Sequence, residues 1–149
     1  MRAAVVAMAR DAGGKMTRQR LEQYRALDRE IRMLDERLRS TALVSDSVRG
    51  SDAEPPYTEH AITITGVDQA ALHRLERKRI RARMEQRAIE RFIDSIEDSL
   101  TRTILEERYI RGGSWAQVAT TVGGTNSSDG VRMIARRYLH WVIGPGEKS

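Results

Sequence analysis

Arg132 and Arg136 stand four residues apart near the C-terminus, with Ser128, Met133 and Arg137 sharing the face that the apolar residues of the same segment leave free. Guanidinium groups one helical turn apart suit two chemistries. They can fork to guanine edges in a major groove, or they can neutralise phosphates. The bland alternative is a small helical bundle whose basic face is simply solvated. Other chemistry finds little support. There is no cysteine, so disulfides and thiolate metal sites are excluded. His60, His73 and His140 are scattered without metal-ligand spacing. No phosphate-binding loop with a trailing Lys-Ser or Lys-Thr occurs, and Gly112-Gly113-Ser114-Trp115-Ala116 lacks the last glycine of a nucleophile elbow. Adjacent carboxylates such as Glu106-Glu107 point apart on a helix. The expectation is a protein with no catalytic residues, no metal and no cofactor.

The elements around the two arginines have a definite order. Gly112-Gly113 can end one helix in a left-handed cap. Ser114 followed by Gln117 reads as a capping box opening a short helix with Trp115, Val118, Ala119 and Val122 as its apolar set. Gly123-Gly124 stops it, and Asn126 or Ser127 caps a last helix with Val131, Ile134, Ala135, Tyr138, Leu139 and Val142 inward. Helix, short helix, glycine turn and helix is the order of a helix-turn-helix. Ala119 is small where two helices cross, and Gly123 permits a positive backbone dihedral. Ser114, Gln117, Ser127, Ser128, Asp129, Arg132, Met133, Arg136 and Arg137 are therefore the candidate DNA-binding residues. Trp115 is expected to pack on the end of the preceding helix near Tyr109.

Upstream, residues 15–40 read as helix, with Tyr24, Leu27, Ile31, Leu34 and Leu38 on one heptad-like stripe. The stripe suits a seam between two copies of the chain as well as an internal core. Residues 41–66 read as an irregular crossover with Pro55-Pro56 and one short alternating strand at 61–65. Helix returns over 68–99, where Leu72, Leu75, Ala82, Ile89, Ile93 and Ile96 can share a face. Residues 74–91 hold eight basic and three acidic side chains, a second phosphate-facing surface or an ordinary solvated face. The fold class is mainly all-α, a long helical hairpin or coiled coil over 15–99 followed by a helix-turn-helix over 100–142.

Among the 149 residues 32% are charged and 5% aromatic, and the net charge is +5. That balance fits helices with long charged faces and, weakly, an anionic partner. No apolar run suits a membrane span and residues 1–14 do not read as a signal peptide, so no membrane partner and a cytoplasmic location are expected.

The run Arg102-Thr103-Ile104-Leu105, Arg108-Tyr109, Ser114-Trp115, Val118-Ala119, Val131-Arg132 and Arg137 resembles region four of sigma-70 family factors. The interval from Ala119 to Val131 is twelve residues, two longer than the sigma-like pattern, so the turn is longer. Residues 24–139 resemble small phage transcriptional regulators of the RinA and ArpU type, through Val44-Ser45-Asp46-Ser47-Val48-Arg49-Gly50-Ser51, Pro56-Tyr57-Thr58 and Ile62-Thr63-Ile64-Thr65-Gly66. The resemblance implies sequence-specific binding of double-stranded DNA in a phage or prophage and activation of late or packaging genes. A homodimer or higher homo-oligomer is expected. The alternatives are a packaging-site binder like a small terminase subunit and a helical adaptor that binds RNA polymerase or a sigma factor.

Overall fold

The computed structural model describes residues 10–11, 14–50 and 58–145, and its architecture is mainly α-helical. A two-residue antiparallel pair, β1 (Arg10–Asp11) and β2 (Gly14–Lys15), precedes the helices. Thr17 caps α1 (Arg18–Glu22), its hydroxyl accepting from the Arg20 N–H at 3.1 Å. Two long helices follow, α2 (Tyr24–Gly50) and α3 (Thr58–Asp94). Then come α4 (Ser99–Leu105), a π-helical turn (Glu106–Ile110), α5 (Trp115–Val122) and α6 (Ser128–Ile143). Among the described residues no helix is long and apolar enough to cross a membrane.

Two expectations are corrected. The helix expected from residue 15 starts at Arg18 and restarts at Tyr24. The crossover at 41–66 is helical where the structure describes it, since α2 runs to Gly50 and α3 starts at Thr58; residues 51–57, Pro55-Pro56 included, lie outside the described residues. The strand expected at 61–65 is therefore the first part of a helix. A lone strand would leave its peptide groups without partners, whereas a helix pairs them within the segment. Alternating Ile and Thr lower helix propensity only by tenths of a kcal/mol, roughly, per residue.

The chain divides into two compact units at points other than residue 99. One unit is Asp28–Met84; the other joins the residues up to Leu27 with those from Glu85 onward. In the Asp28–Met84 unit Ile31, Leu34 and Ala82 are buried, and Arg79 Nε approaches Asp35 Oδ1 at 2.5 Å. Leu72 and Leu75 are half-buried. Ile31 and Leu34 are thus already covered within a single chain, while Leu38 of the same stripe is only half-buried.

The other unit holds α4, α5 and α6 and their support. Phe92, the only phenylalanine in the chain, is fully buried with Ile89, Ile93 and Ile96 of the α3 end and its exit. Met16, Leu21 and Tyr24 join the same core, as do Ile104, Leu105, Val118, Val131 and Leu139. Each such side chain contributes roughly 1.5–3 kcal/mol by leaving water. A part-buried fork locks the N-terminal segment in place. Arg20 reaches Glu85 through Nε and Nη2 at 2.6 and 2.9 Å, while its Nη1 donates to the Gly14 and Lys15 carbonyls at 3.0 and 3.1 Å.

Candidate nucleic-acid interface

The local signals around the turn are realised. Ser114 and Gln117 exchange bonds: the Gln117 N–H donates to Ser114 Oγ at 3.2 Å and the Ser114 N–H to Gln117 Oε1 at 2.8 Å. Ser127 is the cap of α6, its Oγ accepting from the Gly130 N–H at 3.0 Å. Asn126 is not a cap; its side-chain amide donates to the Gly123 carbonyl at 2.9 Å. Gly123 and Gly124 both take positive φ, +74° and +67°, a conformation that side chains rarely adopt. These contacts span the interval between Ala119 and Val131. Two positive-φ glycines turn the chain, and Asn126 closes the turn on Gly123.

Helix α6 is divided by its burial. Val131, Ala135, Leu139, Val142 and Ile143 are buried, whereas Arg132, Met133, Arg136 and Arg137 are exposed. Ser128 and Asp129 are exposed in the first turn, and the Asp129 carboxylate lies 3.4 Å from Arg132 Nη2. Both partners of that pair are solvated, so it contributes only about 0–1 kcal/mol and leaves Arg132 free to exchange it. Of the expected site residues, Arg132, Met133, Arg136 and Arg137 form a continuous exposed strip on α6. Ser114, Gln117 and Ser127 have their side-chain polar atoms engaged in capping, which makes them first of all structural.

The structure adds what sequence reading missed. A cleft of about 480 Å³ runs beside α6, lined by Arg132 and Arg136 together with Arg18, Arg25 and Arg108 and a single carboxylate, Glu22. Arg25 lies across Gly112, where a Cβ would come within 3.0 Å of its Nε, and its Nη1 donates to the Ile110 carbonyl at 3.3 Å. Gly112, at φ +77°, thus both turns the chain out of the π-helical turn and leaves room for a guanidinium. Arg108 donates to the Gly113 carbonyl at 3.0 Å and covers the Trp115 ring, 4.6 Å from its centroid. Trp115 packs on the end of the preceding helix as expected, but through Arg108, and it is half-buried. Tyr109 lines the same cleft; burial pushes its hydroxyl pKa up, Glu22 pushes in the same direction, and Arg108 and Arg18 partly oppose them.

No family model, no curated protein and no solved structure matches the chain.

Proposed function

We propose that the chain is a sequence-specific double-stranded DNA-binding regulator of transcription, with α6 as its reading helix. The observation that carries this reading is the exposed strip Arg132, Met133, Arg136 and Arg137 on a capped helix behind a two-glycine turn. Its opposite face is held by Val131, Ala135 and Leu139, so the strip is presented on a rigid element. Arg136 has no ion-pair partner among the described residues and is positioned to fork to a guanine edge or a phosphate. On the resemblance described above, the setting is a phage or prophage and the regulated genes are late or packaging genes.

The test is fluorescence anisotropy with duplexes tiled across DNA upstream of the protein's own gene, followed by footprinting of any that bind. One duplex should bind far more tightly than the rest, and the affinity should fall steeply with salt. Arg132→Ala and Arg136→Ala should each cost about 1–3 kcal/mol at that site if they read bases. A chain that binds no duplex at low salt, while remaining folded, is not a DNA-binding regulator.

A further inference from the structure

We infer that the arginine-lined cleft seats phosphates of the DNA backbone, so that Arg18 and Arg25 of the N-terminal helices belong to the DNA-binding surface. The inference rests on the DNA-binding reading and extends it to a part of the chain more than one hundred residues before α6 in sequence.

Five guanidinium groups and one carboxylate line this cleft. Arginine cannot relieve such crowding by losing a proton, so the charge excess persists at any ordinary pH. Two of the groups are held in place without being neutralised. Arg25 and Arg108 are anchored by backbone carbonyls, at 3.3 and 3.0 Å, and Arg108 is further fixed against the Trp115 ring. A carbonyl orients a guanidinium but leaves its full charge for a ligand. Arg18 has no ion-pair partner among the described residues, and its Nε–H is buried without an acceptor. Guanidinium forks gathered with so little counter-charge match the oxygens of a phosphodiester, and the solvated Asp129 on Arg132 is readily exchanged for one.

The position of the cleft selects the source of that phosphate. Arg132 and Arg136 line it and also belong to the exposed strip of α6, and Trp115 at the start of α5 forms part of its wall. A duplex whose major groove receives α6 brings its flanking backbone to the same place. The Arg132 side chain is 53% exposed, so the backbone can reach it. Contacts of this kind fix position and add affinity without reading sequence.

The experiment uses the full chain, with Arg18→Ala, Arg25→Ala and the double variant, each checked for an unchanged thermal melt. Arg25→Gln is a companion variant that removes the charge while keeping a polar side chain over Gly112. Binding is measured against the preferred duplex and a scrambled one over a series of salt concentrations. The double variant should weaken both duplexes by a similar factor, about tenfold or more, and lower the log–log salt slope by roughly 0.9 per lost contact. Arg25→Gln should lower the slope as the alanine variant does. If the variants keep the wild-type affinity and slope while Arg136→Ala weakens the preferred duplex, the cleft is not on the DNA and the inference fails alone. If the folded wild type binds no duplex, the underlying reading fails and the inference with it. Inorganic pyrophosphate serves as the last probe. Tight pyrophosphate binding that depends on Arg18 and Arg25, with duplex affinity unchanged in the variants, would assign the cleft to a small polyanion instead.

Discussion

Trp115→Ala is the substitution whose cost can be worked most directly from the structure. The indole is half-buried against the core, and the Arg108 guanidinium lies 4.6 Å from its ring centroid. A fully covered tryptophan removes roughly 200 Å² from water. Taking about 120 Å² for the half-buried ring, at ~25 cal/mol per Å², gives about 3 kcal/mol. The stacked cation adds about 0.5–1 kcal/mol, because Arg108 is itself partly solvated. The substitution should therefore cost about 3.5–4 kcal/mol, a large share of the roughly 5–15 kcal/mol that holds a domain folded. Arg108→Ala removes the same stack together with the 3.0 Å bond to the Gly113 carbonyl, and should cost about 2 kcal/mol. The double variant should fall short of the sum of the two by about 0.5–1 kcal/mol, which is the stacking contribution itself. Urea unfolding followed by helical circular dichroism on the wild type, both single variants and the double variant measures all the corners of the cycle. Trp115→Ala costing less than about 1 kcal/mol would show that the ring rides on the surface, and the burial argument would be wrong. Coupling below about 0.3 kcal/mol would mean that the guanidinium and the ring merely pass each other.

Tyr138→Phe should stabilise the protein by up to about 1 kcal/mol, because the hydroxyl is buried without a partner. Burial, followed by the charge of Glu97, pushes the Tyr138 pKa up to about 12. The unfolded chain therefore ionises first: stability is complete below about pH 10, drains away as pH rises from 10 toward 12, and this alkaline loss should be absent from Tyr138→Phe in melts across that range. Asp98 caps α4, accepting from the Thr101 hydroxyl at 2.6 Å and the Thr101 N–H at 3.0 Å, and these bonds hold its carboxyl below the ordinary value of 3.8. Asp98→Ala should cost about 1 kcal/mol at neutral pH. That gap is present above the unfolded pKa and should close as pH falls through the depressed folded one; a gap that stays constant down to pH 2 would mean that the charge contributes nothing.

How far the fold could be read from sequence follows the range of the interactions involved. The Ser114–Gln117 box and the left-handed Gly112 and Gly123 depend on residues within three or four positions, and each was legible, whereas the cap of α6 was legible only as Asn126 or Ser127. The inward set of α6 was legible too, because Val131, Ala135 and Leu139 repeat at helical spacing. The alternation at 61–65 misled because period two marks a strand only where another strand pairs with it. The stripe from Tyr24 to Leu38 could not by itself say whether a second copy or the same chain covers it; at Ile31 and Leu34 the same chain does. Arg18 and Arg25 were invisible as site residues because nothing local ties an N-terminal arginine to Gly112 or Arg136. Arg108 carried a faint signal, standing just ahead of the glycine pair.

The modest net charge of +5 conceals a more telling distribution. Several of the chain's arginines are structural. Arg20 closes on Glu85, Arg79 on Asp35 and Arg111 on Glu107, each matched by a carboxylate. Arg102 donates to the Ile96 carbonyl at 2.7 Å, across the turn between α3 and α4. Carboxylates engaged in such pairs are not available elsewhere, and the cleft receives only Glu22 against five guanidinium groups. Like charges gathered in this way oppose folding, so an arrangement selected for stability alone would separate them or supply counter-charges. Retaining them in a concave surface beside the exposed strip of α6 is intelligible if an anion restores the balance on binding. The local excess, and not the basic character of the whole chain, is therefore the electrostatic argument for a phosphate partner.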